Sequence, residues 1–481
     1  MRWSETLAPT RMHRVAVVAP DELLRDVLVL VADEGVCDID ELRQNPPSLA
    51  ADALQRMLSH QQGRSTTAAA TTGSISPVLV PDAPDIGALE SNARYRELAG
   101  EAEMDRIRGQ ALSSHSVAAV AGWCPSSAMA GLTDRLRSVG GAVVPLAEPP
   151  GSAPPTLLPQ TGASGAFQPL VDTYGTVPYR DVNPSVLAGV AYAVMFGMMF
   201  GDLGHGLLLV AAGLLLRAGH PRALSHLSRL APFLMTAGAA SAAFGLAYGE
   251  AFGPTGIVPA LWLKPLDHPT TLLAVAIAIG GALLAVSYGF GITNRWREEG
   301  VAGAALALSG IAGAALYLGL AVTALGLYIH VATAEVFGAV LALSGLALGF
   351  LGCLSKAGGR AVGAVQATIE TFDATVRIGS NTISFARLAA FGLTHAALGY
   401  IIWKGTLALW HQGVPFWLPA VLIFIAGNAA AFALEGLVAA VQALRLEYYE
   451  MFSRIFVREG RRYRPWRIPT ATLKEDECSP G

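Results

Sequence analysis

Long apolar segments fill the second part of this 481-residue chain and restrict what it can fold into. Only 14% of its residues are charged, against about 25% in a soluble domain. From Val182 to Phe456, eight segments approach the length that spans about 30 Å of hydrocarbon, near 184–200, 203–219, 228–250, 271–294, 301–328, 332–354, 380–410 and 415–450. Because lipid offers no hydrogen-bond partners, each segment must be a helix. We expect a polytopic α-helical membrane protein with eight transmembrane helices, the last two long and tilted.

Basic residues in the connecting segments orient these helices. One side holds most of them: Arg217, Arg222, Arg229, Arg295, Arg297, Lys356, Arg360, Arg377 and several in Arg454–Arg467. The other side holds mainly Lys264 and Lys404. Positive charge favours the cytoplasmic side, and no signal-peptide pattern precedes the first strand. Both termini are therefore expected in the cytoplasm.

The first 160 residues have the pattern of a small cytosolic α/β domain. A strand, helix and strand are predicted over 14–39, and the same order recurs over 116–146. Residues 63–84 are rich in Thr, Ala, Ser and Pro and are typical of a flexible linker, and a single charged helix over about 87–112 forms a short arm. The predicted organisation is a domain at 1–160, a junction at 161–183, the membrane domain at 184–456 and a cytosolic tail at 457–481.

Several functions are disfavoured by composition and motif. A net charge of −3 argues against nucleic-acid binding. The four cysteines lie far apart, which indicates neither a disulfide framework nor a zinc site. No Gly-x-x-x-x-Gly-Lys-Ser/Thr motif is present, so we expect no nucleotide hydrolysis by this chain, and no cofactor or metal.

Arg387 is the most informative functional residue, because it lies in an otherwise lipid-compatible run, Ile383–Leu398. A charge near mid-membrane costs roughly 2.5–3.5 kcal/mol on insertion scales. Arginine cannot avoid this cost by losing its proton. A structural alternative is that the side chain snorkels or pairs with a backbone carbonyl.

The last two predicted spans carry polar stripes. On the seventh, Arg387, Phe391 and Thr394 share a face, with Ser384 one turn earlier. On the eighth, Glu435, Gln442 and Arg445 align, and Glu435 and Arg445 are about 15 Å apart at 1.5 Å per residue. Such stripes should face each other or a wet cavity.

A titratable carboxylate together with a fixed positive charge is suited to ion transport. Glu435 can load and unload a proton, whereas a fixed guanidinium forces a nearby neutral carboxylic acid to ionise. Arg387 would then separate two aqueous half-channels, with the ion carrier located on another chain.

Three further residues have two interpretations each. His395 is either a proton relay or a hydrogen-bonded core histidine. Asp202 and His205 lie in the Gly-rich sequence Gly201–Gly206, where a tight turn explains them almost as well as a functional role.

Three motifs occur in order along the chain, and together they resemble the stator subunit a/I of V/A-type rotary ATPases. They are Met198-Met199-Phe200-Gly201-Asp202-Leu203-Gly204-His205-Gly206, Phe385-Ala386-Arg387-Leu388 with His395, and Leu434-Glu435-Gly436 through Leu444-Arg445-Leu446-Glu447-Tyr448-Tyr449-Glu450. The resemblance covers residues 120–465 well and 14–40 loosely.

By this resemblance, Arg387 matches the stator arginine that faces the carboxylates of a rotating proteolipid c-ring. Arg445 matches the second arginine, Glu435 the half-channel glutamate, and His395 a supporting histidine. The implied partners are the c-ring, peripheral stalk E/G-type subunits, the central stalk and the A/B ATPase head, within the lipid bilayer. The chain would be a non-catalytic, ion-translocating subunit, with a bacterial plasma membrane as the expected location.

One departure from the family concerns the arm. The resemblance implies a larger cytosolic domain with a long coiled-coil arm, whereas residues 45–112 hold a linker and one modest helix. This puts the usual attachment of peripheral stalks in doubt and leaves the membrane half unaffected.

Two rival functions stay open from the sequence. A standalone proton-coupled secondary transporter would use Arg387 and Glu435 for its solute or protons, but it predicts an internal repeat that we do not find. A non-conducting assembly or anchoring homologue would keep the fold and is favoured by the short arm.

Overall fold

The computed structural model describes residues 8–41, 48–62, 76–149, 152–159, 162–220, 227–228, 230–357, 361–456 and 459–470. Two compact units emerge from the contacts between residues. The α/β unit comprises the described residues of Thr10–Leu157 and Gly460–Gly481, and the membrane unit those of Met1–Pro9 and Leu158–Glu459.

The α/β unit contains a five-stranded antiparallel sheet. Its strands are β1 (Met12–Pro20), β2 (Asp38–Ile39), β3 (Leu112–Ser114), β4 (Val117–Pro125) and β5 (Ala142–Pro145). The order is β2-β4-β1-β5, and β3 also pairs with β4. β1 lies in the centre, with Val15 opposite Gly122 and Val17 opposite Val120. Apolar residues of β1 and β4 are buried, which is why these two runs form the middle of the sheet.

Within its described residues, the unit has five α-helices besides this sheet: α1 (Leu24–Glu34), α2 (Leu49–Gln62), α3 (Ile86–Ser91), α4 (Tyr95–Gly109) and α5 (Met129–Ser138). One face of α1 is buried in the core and is formed by Val27, Leu28 and Val31. The single arm helix expected over 87–112 is instead two helices, α3 and α4, and α2 precedes them. Much of the predicted linker lies outside the described residues, but Leu79 is fully buried.

The end of the chain packs against the α/β unit. Arg461 forms ion pairs with Asp38 (3.4 Å) and Asp40 (3.0 Å). The Tyr463 hydroxyl donates to the Val36 carbonyl at 2.6 Å, and Trp466 is 7% exposed. Residues 460–470 therefore complete the core of this unit. The domain boundaries given from the sequence remain a prediction.

The membrane unit consists of helices, beginning with α6 (Gly162–Tyr174). The eight apolar helices that follow are α7 (Ser185–Met199), α8 (Leu203–Arg217), α9 (Ala231–Tyr248), α10 (Pro269–Leu306), α11 (Ile311–Ile329), α12 (Ala332–Lys356), α14 (Ala386–Trp410) and α15 (Trp417–Leu446). An amphipathic helix, α13 (Ala361–Ser384), precedes α14. After α15 come a π-helical turn, Glu447–Phe452, and the short α16 (Ser453–Ile455).

Apolar helices stand at all eight positions that hydropathy indicated. Six membrane-span candidates within the described residues are long and apolar enough to cross a bilayer, whereas α7 and α8 are shorter. At 1.5 Å per residue, each of these 15-residue helices extends about 22 Å. The protein is therefore a multi-pass membrane protein, and the count of eight spans remains a prediction.

Small residues bring neighbouring helices into close contact. A β-carbon at Gly206 on α8 would lie 2.4 Å from the Ala242 nitrogen on α9, and one at Gly319 on α11 would lie 2.3 Å from the Ala342 nitrogen on α12. Close backbone approach of this kind is how helices associate in lipid. The α8–α9 contact fixes the start of α8, where the first polar motif lies.

Candidate functional site

The break between α7 and α8 is held by the buried Asp202. Its Oδ1 accepts hydrogen bonds from the backbone N–H groups of His205 (2.9 Å) and Phe252 (3.0 Å). Its Oδ2 accepts one from the Gly253 N–H at 2.9 Å. A carboxylate at a helix N-terminus satisfies free N–H groups and interacts favourably with the helix dipole. Asp202 therefore joins the start of α8 to the turn that follows α9.

His205 is buried in an aromatic environment. Its ring lies 5.4 Å from Phe200, 5.3 Å from Phe252 and 5.6 Å from Phe432, measured between ring centroids. Neither ring nitrogen has a hydrogen-bond partner of good geometry among the described residues, although the Asn428 backbone is close enough for a weaker hydrogen bond. The Nδ1 atom lies 3.7 Å from Asp202 Oδ1. Two imidazole nitrogens without full partners are unusual in such an apolar setting.

His395 on α14 and Glu435 on α15 form a direct contact. Nδ1 of His395 lies 2.5 Å from Glu435 Oε2, and the two side chains are 7% and 15% exposed. The other carboxylate oxygen of Glu435 is buried and has no hydrogen-bond partner among the described residues. The seventh and eighth predicted spans thus make a polar contact at this pair, although His395 was not on the stripe predicted for the seventh span and Thr394, which was, is exposed.

Asp202, His205, His395 and Glu435 lie together, and we call them the histidine cluster. The ring centroids of His205 and His395 are 5.8 Å apart. Ligand atoms of Asp202, His205 and His395 all lie within 4.8 Å of one another. The buried Glu250 interacts electrostatically with this cluster. Sequence reasoning missed Glu250, although an acidic residue at the end of an apolar segment was a signal for it.

Arg387 lies at the start of α14 and belongs to a second group. Its Nη1 atom is buried and has no hydrogen-bond partner within the described part of the chain. It is also the only Asp, Glu, Lys or Arg between Arg377 and Lys404. At 1.5 Å per residue it lies about 15 Å from the first and about 25 Å from the second. The guanidinium therefore has uncharged sequence on both sides, and one of its donor groups has no partner among the described residues.

Glu450, on the π-helical turn, is close enough to three arginines to interact with their charges. It interacts with the Ser384 side chain and with the charges of Arg387, Arg445 and Arg454. We call Ser384, Arg387, Arg445 and Glu450 the arginine cluster. Sequence reasoning quoted Glu450 within a motif but did not select it, because its contact with α13 and α14 is tertiary.

Gln442 and Glu447 add further unsatisfied polar atoms. Gln442 Oε1 and both carboxylate oxygens of Glu447 are buried without hydrogen-bond partners among the described residues. Glu447 is completely buried and begins the π-helical turn, a feature that is frequent at functional sites. Arg445, in contrast, is exposed.

Little of α15 is covered by the rest of the chain. Its apolar span is only 11% buried, against 28–39% for the other five long spans found among the described residues. Large apolar side chains on it are exposed, among them Leu434, Leu437 and Val441. In a membrane protein such a face contacts lipid or another protein.

The arrangement consists of proton-exchanging groups near a fixed positive charge. Eight residues separate Arg387 from His395 along the sequence, about 12 Å on one helix. Imidazole and carboxylate groups exchange protons, whereas a guanidinium does not. Together with the apolar helices, this defines a multi-pass helical membrane protein with buried ionisable groups between its spans, a class in which such groups mark ion pathways.

Comparison with known proteins identifies the family. The profile of the V-type ATPase 116-kDa subunit family matches residues 108–240. The A-type ATP synthase subunit I of Halobacterium salinarum is 26% identical over 394 residues, which cover 67% of this chain and 53% of that protein. The corresponding subunit of Pyrococcus horikoshii is 27% identical, covering 72% and 53%. V-type ATP synthase subunit I 2 of Treponema pallidum is 32% identical over 191 residues, covering 38% and 41%.

These matches support the V/A-type ATPase subunit a/I family for this chain. It spans about half the length of the curated relatives it matches. The resemblance read from the three motifs is thereby confirmed at the level of the family.

Proposed function

We propose that this chain is the membrane stator subunit of a V/A-type rotary ATPase and forms two ion half-channels, for protons in our proposal, against a proteolipid ring. Arg387 carries the proposal. A permanent cation with uncharged sequence on both sides and an Nη1 that has no partner among the described residues is suited to meet a carboxylate that another chain supplies. Its charge favours ionisation of that carboxylate, because an opposite charge within about 4–6 Å lowers a carboxyl pKa by 1–3 units.

The two clusters have different roles in this proposal. The histidine cluster exchanges protons along one half-channel through His395 and Glu435, with Asp202 and His205 behind them. Gln442, Arg445 and Glu450 belong to the side of Arg387. Ions pass from one half-channel to the other only while bound to the rotating ring, because Arg387 blocks the direct path.

The sparsely covered α15 supports a protein partner. Leu434, Leu437 and Val441 are proposed to face the ring, with peripheral stalk, central stalk and A/B head subunits completing the complex. A bacterial plasma membrane with both termini in the cytoplasm completes the proposal. The buried, unsatisfied polar atoms favour conduction over a purely anchoring role, because each costs free energy that packing alone does not require.

Site-specific photo-cross-linking tests this assignment. The photoreactive residue p-benzoylphenylalanine replaces Leu437 on α15 or, as a matched control, Leu343 on α12. Both leucine side chains are 64% exposed, and both lie in apolar spans. In native membranes, the Leu437 variant is expected to yield an adduct with a small proteolipid and the Leu343 variant none. Equal yields at both positions, or no adduct at Leu437, would argue against a ring-facing α15.

A further inference from the structure

The histidine cluster has the composition of a transition-metal site. Asp202, His205 and His395 place one ligand atom each within 4.8 Å of the others. These residues are far apart in sequence, so ligand spacing along the chain gave no indication of zinc. All three are buried, with exposed fractions of 0%, 2% and 6%.

His205 supplies an independent indication of a ligand. The ring is almost fully buried, and neither nitrogen has a hydrogen-bond partner of good geometry among the described residues. Aromatic rings surround it, and even where the Asn428 backbone pairs with one ring nitrogen, the other has no partner among the described residues. A nitrogen in this state is available to a metal ion.

The other two residues are already held in position. His395 Nδ1 is bonded to Glu435 Oε2 at 2.5 Å, so its second nitrogen remains available. A carboxylate on the far nitrogen is the usual support of a metal-bound histidine. Asp202 is oriented by three backbone N–H groups and keeps lone-pair capacity on Oδ2.

We infer that Asp202, His205 and His395 bind a divalent transition-metal ion of the Zn²⁺ class. Two imidazoles and one carboxylate favour zinc and its neighbours over Mg²⁺ or Ca²⁺, which prefer oxygen ligands. Metal–ligand bonds of about 2.0–2.2 Å place tetrahedral ligands roughly 3.3–3.6 Å apart. The three ligand atoms must therefore approach one another by about an ångström when the ion binds, and rotation of the side chains allows this movement. Glu435, 15% exposed at its side chain, marks the edge by which an ion enters.

Metal binding would also affect transport. Occupancy removes the free nitrogen of His395 and fixes the carboxylate of Asp202, so Zn²⁺ would inhibit ion movement through this half-channel. That consequence depends on the proposed function, whereas binding itself does not.

Binding to the purified full-length chain tests the inference. After chelation, the chain is titrated with Co²⁺, whose visible absorption reports a low-coordinate site, and Zn²⁺ and Mg²⁺ are then added as competitors. Wild type is expected to bind one Co²⁺ that Zn²⁺ displaces and Mg²⁺ does not. His205→Phe keeps an aromatic ring among Phe200, Phe252 and Phe432 but removes the ligand, and it should abolish the signal, as should His395→Ala.

Two further variants make the test specific. Glu435→Gln removes only the supporting carboxylate and should weaken binding about 10–100-fold. His411→Ala, an exposed histidine beyond the end of α14, should bind like wild type. Absence of the signal in wild type, or its retention in His205→Phe, would overturn the site and show His205 to be an ordinary core imidazole. Neither result bears on the proposed role of Arg387, which is tested separately by measuring ion transport.

Discussion

Asp202 offers a quantitative test of how the α7–α8 break is held. Replacement by alanine removes the acceptor of three backbone N–H groups. Each buried donor left unsatisfied costs about 1–3 kcal/mol, so Asp202→Ala should lose roughly 3–9 kcal/mol. That range overlaps the total stability of many proteins, and the variant is expected to be poorly folded or absent from membranes.

Asp202→Asn keeps the shape of the side chain but removes its negative charge. The asparagine oxygen can still accept from the His205 and Phe252 N–H groups, while its NH₂ group faces the Gly253 N–H. One bond is lost, so the expected cost is about 1–3 kcal/mol.

Thermal unfolding in detergent, with a chelator present, measures both variants. Asp267→Asn, at an exposed position before α10, is the matched control and should stay within about 0.5 kcal/mol of wild type. The expected order of stability is wild type, then Asp202→Asn, then Asp202→Ala. If Asp202→Ala unfolds like the Asp267 control, the carboxylate does not hold this turn.

Three further predictions follow from other parts of the chain. Burial, followed by the nearby Glu298, raises the pKa of Asp181 to about 7, against about 3.9 when unfolded. Its ionisation therefore destabilises the fold as pH rises from about 4 to about 7, by up to about 4 kcal/mol, and Asp181→Asn should flatten this part of the stability profile measured by thermal unfolding. A stop after Glu459 removes the Arg461 and Trp466 contacts and should make the α/β unit sensitive to limited proteolysis, whereas a stop after Thr470 should not. Glu435→Gln should slow ATP-driven transport at least tenfold, and adding His395→Ala should slow it little more, because both changes disable one proton-exchanging pair.

Each of these predictions has a contradicting result. An unchanged pH profile in Asp181→Asn would show that this carboxyl does not titrate in the folded state between pH 4 and 7. Equal proteolysis of the two truncations would show that residues 460–470 do not stabilise the α/β unit. Multiplicative losses from Glu435→Gln and His395→Ala would indicate independent roles.

Hydropathy was a good guide to the membrane helices because the requirement it reflects is local. A segment in lipid must satisfy its own backbone, so the apolar lengths place α7 to α12, α14 and α15 close to where the structure has them. The boundary before α11 was less accurate. Gly300, with φ 74°, interrupts the helix, and α10 resumes to Leu306, so α11 begins at Ile311, later than the predicted 301.

Other features could not be predicted from the sequence because they depend on tertiary contacts. The helix α2 is amphipathic but has a polar composition, and its apolar face becomes clear only where it packs with Leu89 and Leu98. Residues 460–470 are rich in arginine, and their isolated Trp466 and Ile468 gave no sign in the sequence that they join the α/β core. Among candidate site residues, helical spacing grouped Glu435 with Gln442 and Arg445 but did not indicate its contact with His395. Glu250 and Glu450 reach the clusters from elements distant in sequence.

ATP-driven ion transport by the Arg387→Ala complex tests the central claim most directly. Reconstituted complexes carrying Arg387→Ala, Arg387→Lys or the nearby control Arg377→Ala are compared with wild type at equal assembly. The account predicts no coupled transport for Arg387→Ala, severe impairment for Arg387→Lys because an ammonium lacks the planar fork of guanidinium and can lose its proton when desolvated, and near-normal transport for Arg377→Ala. Transport by Arg387→Ala at the wild-type rate would contradict it.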